Sequence, residues 1–236
     1  MSPGADPLAV TVAWARPDPA DAAVLDLLAG TERERADRFR RPADRDRFLT
    51  AQALLRRTLT AVTGEVASDL VRRCPGCAST RHGPLALAGR DDVSLSVSHS
   101  GSRVVVAVVA GAGTVAPSVG VDVEEVGERA TTLDVAPTVL APAELAAHRG
   151  AADPRGDLIT RWSRKEAVLK ATRQGLTVPM SDVVVSDPGE PAALVAWTGA
   201  HRPAAASAVT LADLAAGAGY RAAVAVLTAR PLLVRV

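Results

Sequence analysis

Residues 111–124 read Gly-Ala-Gly-Thr-Val-Ala-Pro-Ser-Val-Gly-Val-Asp-Val-Glu (GAGTVAPSVGVDVE). The first eight are small or turn-forming, which marks a linker. From Val119 to Glu124 valines then alternate with other residues, the period of a strand. Before this point the chain predicts a strand at Leu8–Trp14, short helices at Ala20–Ala29 and Glu32–Phe39, and a long amphipathic helix at Asp44–Val62, with Phe48, Leu55 and Leu59 near helical spacing. Two strands follow, Val93–Val97 and Arg103–Val109, around a turn Ser98-His99-Ser100-Gly101-Ser102. After the linker the same order returns. A strand at Val119–Glu124 precedes a short helix at Pro142–His148 and a long one at Asp157–Ala171, and strands follow near Asp182–Val185, Ala193–Trp197 and Tyr220–Leu227. No residue-level repeat accompanies this order. The expectation is an α/β (α+β) fold of two similar halves, residues 1–113 and 118–236, related by a pseudo-twofold.

Hydrophobic residues make up 48% of the 236-residue chain but aromatics only 3%, so the core is built mainly from Ala, Val and Leu. The formal net charge of +1 provides no global field for nucleic acid or an anionic membrane, and so few aromatics supply no stacking platforms for bases. The uncharged run Val104–Val121 is long enough to raise a membrane question, but Gly111, Gly113, Pro117 and Gly120 break its second half. The N-terminal MSPGADPLAVTVAW lacks a basic segment followed by an apolar core, so a cytoplasmic, non-membrane protein is expected. Gly111–Thr114 is neither a Walker loop nor a dinucleotide fingerprint, because the later Gly and Lys are missing. The two cysteines, Cys74 and Cys77, form a CPGC with His82 five residues on; a structural zinc site wants four ligands, and an inert surface loop is the simpler reading.

Of 27 basic residues only two are lysine, and both lie in WSRKEAVLKA, Trp162–Ala171. Glu166 and Lys170 stand four apart on one helix face. Alone they read as a surface ion pair worth ~0.3–0.5 kcal/mol, yet a surface pair in this composition would be written Glu-Arg, and Lys differs from Arg in being a compact point charge. Lys165 sits ~100° round the helix from Glu166. On the strand, Asp122 and Glu124 share a face with Cα atoms ~6.6 Å apart. Two such carboxylates suit a hard divalent cation such as Mg²⁺, or else form a solvated strand face. The turn with Ser98 and His99 offers donors to an anion, or is polar because it is exposed. The arginines of the first long helix, Arg47 and Arg56 among them, read alone as a solvated face and beside a phosphate site as an anchor.

GVDVEEV, then WSRKEAVLKA some forty residues on, with SVSHSG upstream, together resemble the 4′-phosphopantetheinyl transferases. The likeness is to the monomeric, tandem-repeat type that activates peptide and polyketide synthases, the surfactin-synthetase-activating type. It runs from about Arg38 to Gly175, and Gly219–Ala225 is similar to the family's closing strand. The resemblance implies coenzyme A bound in a cleft between the two halves and transfer of its phosphopantetheine arm to a serine of an apo acyl, peptidyl or aryl carrier protein, with 3′,5′-ADP released. It implies Asp122, Glu124 and Glu166 as Mg²⁺ ligands, with Glu166 helping to deprotonate the serine, and Lys170 as the cation neutralising phosphate charge. Ser98 and His99 become contacts to the coenzyme's phosphates. Arg47 and Arg56 fall near the family's basic positions for the 3′-phosphate, and Lys165 matches its motif on the coenzyme side. Where the family reads H-G-(K/R)-P this chain has His82-Gly83-Pro84, so the basic residue is missing: either Arg81 replaces it or that coenzyme contact is absent. Carrier docking is implied for Thr131–Arg149, through Val139, Leu140 and Leu145. Used with water as nucleophile, the same acids would serve a Mg²⁺-dependent phosphohydrolase, and without turnover a nucleotide-binding protein.

Overall fold

The computed structural model describes residues 6–65, 70–72, 74, 77, 79–80, 82–127, 135–199 and 208–236. Its strands are β1 (Leu8–Ala15), β2 (Leu70–Arg72), β3 (Leu85–Leu87), β4 (Val93–Ser100), β5 (Arg103–Ala110), β6 (Val119–Glu125), β7 (Val183–Val185), β8 (Leu194–Trp197), β9 (Val209–Asp213), β10 (Tyr220–Leu227) and β11 (Leu232–Arg235). The helices are α1 (Gly30–Asp37), α2 (Pro42–Thr63), α3 (Ala136–Val139), α4 (Pro142–Arg149) and α5 (Pro154–Ala171). The fold is mixed α+β. Two compact units emerge, residues 9–117 with 234–236, and residues 118–233 with the stretch ending at Leu8.

In the N-terminal unit β1, β5 and β4 lie side by side in that order, all antiparallel, with β11 on the outer edge of β1. Helix α2 packs on β5 and β4. Proline at its first turn pre-sets φ, and Gly64 in the left-handed conformation (φ 76°) ends it. Phe48, Leu55 and Leu59 are buried as their spacing predicts, and Leu55 and Leu59 join Leu95, Val104, Val106 and Val108 in the core under the helix. The hairpin is tighter than expected: Ser98, His99 and Ser100 continue β4 opposite Val105, Val104 and Arg103, and only Gly101 and Ser102 turn. The apolar run Val104–Val121 resolves into β5, a glycine-containing turn and the start of β6, and among the described residues no helix is long and apolar enough to cross a membrane.

The C-terminal unit repeats this arrangement. Its sheet has the order β6-β10-β9, again first strand, last strand, penultimate strand, all antiparallel. The long helix α5 packs on β6 and β10. Asp153 caps α5 by accepting from Gly156 N at 2.9 Å, with Pro154 behind it. Each unit also carries a two-stranded ribbon, β2-β3 in one and β7-β8 in the other. Sequence periodicity missed β2, β3, β9 and β11. These are short strands, half-buried or exposed at most positions, whose signal is weak beside that of Tyr220–Leu227.

The contact that positions the acidic strand is at Gly120. A Cβ placed there would lie 2.1 Å from the carbonyl oxygen of Ala167 and 2.4 Å from the amide nitrogen of Ala171. β6 therefore lies directly on the backbone of α5, and the obstruction is main chain rather than a movable side chain. Gly120→Ala is expected to lower unfolding stability by ~1–3 kcal/mol, read as a lower denaturant midpoint with an unchanged m-value.

Candidate active site

Gly120, Asp122 and Glu124 point to one face of β6, and at Gly120 that face meets α5. Asp122 is consequently buried rather than solvated, with its side chain 3% exposed. Val121 and Val123 on the opposite face are buried as well, so the alternation separates two covered faces instead of core from solvent. One turn along α5, Lys170 donates from Nζ to Asp122 Oδ1 at 2.6 Å and to the Val121 carbonyl at 3.1 Å. Its side chain keeps 29% of its surface exposed, so the ammonium stands at the boundary between the buried acid and solvent. Glu166, one turn earlier on the same helix face, is half-buried. Burial raises its carboxyl above the usual carboxylate range; the Lys170 charge pulls it back, and the charge of Asp122 pushes it up again. Glu124 sits two residues beyond Asp122, opposite Arg221 of β10.

Asp122, Glu166 and Lys170 are thus brought into one electrostatically coupled group. The carboxylates are not pre-gathered. Among the described residues the one set of three His, Cys, Asp or Glu ligand atoms lying within 4.8 Å of one another is Cys74, Cys77 and His82. Asp122 instead spends one oxygen on Lys170. The donor set of Asp122, Glu124 and Glu166 is nonetheless hard and all-oxygen, which fits Mg²⁺ by chemistry. The repulsion between Asp122 and Glu166 is the kind that a bound dication relieves.

Lys165 lies elsewhere. Its side chain is 0% exposed, and Nζ donates to the Val139 carbonyl at 2.9 Å, the Met180 carbonyl at 3.1 Å and Glu144 Oε2 at 2.5 Å. An ammonium has three protons, and all three are used inside the protein, which leaves none for a coenzyme. Burial pushes its pKa down against the pull of Glu144. Glu144 in turn accepts from Ala141 N and Val185 N, so this one ion pair ties together α3, α4, α5, β7 and the turn at Met180. Two arginines of α5 are buried beside it. Arg164 grips Asp213 with two bonds of 2.9 and 2.6 Å and donates to the carbonyls of Ser186, Asp187 and Glu190. Arg161 pairs with Asp157 and Asp187. Apart from Asp157, which stands four residues before Arg161 on α5 itself, these partners have no fixed spacing from the helix in the sequence, so no motif pointed to them.

Arg56 is also withdrawn from a ligand role. Its side chain is 6% exposed, and it donates to Glu32 at 2.9 Å and Gln52 Oε1 at 2.8 Å. Helical spacing placed it on α2 correctly but could not show that α1 would supply its partner. Arg47 is half-buried, pairs with Asp44 and donates to the Gly101 carbonyl at 3.2 Å. It therefore stands at the hairpin end that carries Ser98, which is buried, and His99, which is exposed. Arg81 and Thr131–Asp134 lie outside the described residues. Val139 and Leu140, expected to meet a carrier, are buried in the core of the C-terminal unit, and Leu145 packs against it half-buried. A cavity of about 600 Å³ lies against α5 and β10, lined by Asp153, Thr160, Ser163, Asp213, Tyr220 and Arg221 among others, with no residue of the acidic strand in its lining. Tyr220, at its edge, donates to Glu125 Oε1 at 3.0 Å.

Residues 118–225, which include β6, α5 and most of β10 and carry Asp122, Glu124 and Glu166, match the family model of the 4′-phosphopantetheinyl transferase superfamily. Among solved structures, the crystal structure of Thermotoga maritima holo-[acyl-carrier-protein] synthase (AcpS) is similar to 47% of this chain, at 22% identity and a TM-score of 0.39. This chain spans about three-fifths of that protein's length, 62%. No curated protein matches the chain.

Removing one partner of the Lys165–Glu144 pair strands the other charge in the core. Lys165→Ala and Glu144→Ala are each expected to lower stability by ~3–5 kcal/mol. The double replacement Lys165→Met with Glu144→Leu is expected to recover a large part of that loss, as a double-mutant cycle by urea denaturation would show.

Proposed function

We propose that this protein transfers the 4′-phosphopantetheine arm of coenzyme A to a serine of an apo carrier protein and releases 3′,5′-ADP. One observation carries the reading: within the segment that matches the transferase family, a buried Asp122 is bonded to a half-exposed Lys170, with Glu166 coupled to both on the same helix face. Attack on a phosphoanhydride requires neutralised phosphate charge, an oriented hydroxyl and a proton acceptor.

Lys170 supplies a fixed cation. It is held by Asp122 and the Val121 carbonyl before any substrate arrives, so little reorganisation is needed as phosphate charge builds. Glu166 has a carboxylate whose proton affinity is raised by burial, which suits it to accept the serine proton. Asp122, Glu124 and Glu166 would hold Mg²⁺, which when bound contributes Lewis-acid stabilisation to the pyrophosphate. In the N-terminal unit, Arg47, Ser98 and His99 are the residues proposed for the coenzyme's phosphates; Arg47 lies at the hairpin end bearing the other two. The repeated sheet order in the two units supports the tandem-repeat type.

The test is the intact mass of apo acyl, peptidyl and aryl carrier proteins after incubation with the enzyme, coenzyme A and Mg²⁺. A gain of one phosphopantetheine arm is expected on at least one of them. No gain on any of the three, or release of phosphate from coenzyme A without a carrier, overturns the assignment. Glu166→Gln and Lys170→Ala are each expected to slow loading ~10²–10³-fold with unchanged far-ultraviolet circular dichroism. Full-rate loading by either variant removes that residue from the mechanism.

A further inference from the structure

The ribbon β2-β3 pairs Leu70 with Leu87 and Arg72 with Leu85, so the chain between Arg72 and Leu85 forms the loop at its end. Three side chains on that loop converge: Cys74, Cys77 and His82, with ligand atoms all within 4.8 Å of one another. Cys77 Sγ lies 3.3 Å from His82 Nε2. A sulfur and a nitrogen bound to one tetrahedral zinc are separated by roughly 3.5 Å, given Zn–S of ~2.3 Å and Zn–N of ~2.0–2.1 Å. We propose that Cys74, Cys77 and His82 form a Zn²⁺ site, with water as the fourth ligand.

The loop backbone is arranged for this. Cys74 N donates to the Ser79 carbonyl at 2.9 Å, which holds these two residues together. The Arg72 guanidinium donates to the Gly83 carbonyl at 2.9 Å, and Gly83 takes a φ of 106°, so the residue after His82 is fastened to the ribbon. The cysteines are thiols, not a disulfide. Two thiolates and a neutral imidazole balance the charge of one dication and are soft to borderline donors, which select zinc over the hard Mg²⁺ of the acidic site. On binding, two Zn–S bonds and one Zn–N bond form and the two thiol protons pass to solvent. Cys77 and His82 are exposed and Cys74 is half-buried, so the metal has a direct path in. The physical need is visible as well. A ribbon of two three-residue strands is marginal by itself, and a zinc at its open end closes the loop as a disulfide would.

The purified full chain, kept reduced, is titrated with Zn²⁺, desalted and analysed for metal by mass spectrometry; in parallel it is titrated with Co²⁺ and followed by absorption. About one zinc per chain is expected, with thiolate-to-cobalt charge transfer and the d–d bands of a tetrahedral ion. Cys77→Ser and His82→Ala should each weaken zinc affinity by at least about tenfold. Metal retention by the wild type no greater than by Cys77→Ser overturns the site, as does a cobalt spectrum without charge transfer. So does a thiol titration showing that the pair has closed to a disulfide in the same reduced buffer. The cobalt spectrum of the wild type decides the matter even if a variant fails to fold.

Discussion

The approach of β6 to α5 at Gly120 fixes the geometry on which the C-terminal unit depends. With main-chain atoms in contact, the side chains two and four residues further along β6 emerge at a set height above the helix. Asp122 then falls beside the Lys170 ammonium, and Glu166 comes close enough for the charge of Asp122 to help raise the Glu166 carboxyl. Any larger residue at 120 would lift the strand, and a shift of about an ångström is enough to spoil a site of this kind. The glycine of GVDVE is therefore structural and the acids around it chemical, although all three stand on one face of one strand.

A second set of constraints holds α5 itself. The helix is buried nearly all round, yet three cations lie inside at Arg161, Arg164 and Lys165. Each reaches main-chain carbonyls or acids on segments that otherwise have no regular structure to anchor them, notably the turn at Met180 and the loop from Ser186 to Glu190. The choice of cation follows from the acceptors. Arg164 meets the two oxygens of Asp213 and further carbonyls, which suits a planar fork. Lys165 meets three separate oxygens around a single point, which suits a tetrahedral ammonium. Both lysines of this arginine-rich chain are thus accounted for, one by the core and one by the site.

Much of this was legible in the sequence, for physical reasons. Long periodic elements such as α2, α5 and β10 announce themselves because each buries a continuous face. The acid-bearing strand and its helix were placed together only by the family resemblance of GVDVEEV and WSRKEAVLKA. What escaped were partners brought in from afar. Arg56 and Lys165 were expected beside a coenzyme from the family resemblance, whereas Glu32 and Glu144, which neutralise them, lie 24 and 21 residues away on other helices. The burial of Val139 and Leu140 was hidden for the same reason: a four-residue helix has no period to read. Nor could alternation in VDVE show that both of its faces would be covered.

The strand order β6-β10-β9 carries a consequence for how the protein comes into being. Within the C-terminal unit the strand bearing Asp122 and Glu124 pairs with the stretch Tyr220–Leu227, nearly a hundred residues later. While the chain is being synthesised, that pairing cannot form until almost the whole polypeptide has left the ribosome. The helix that carries Glu166 and Lys170 is made in the interval and must wait for the later strand. Chemistry assembled from residues 122 to 170 is in this sense completed by a strand that contributes none of those groups, and a chain cut short before that strand would carry every one of them without the sheet that sets them in place.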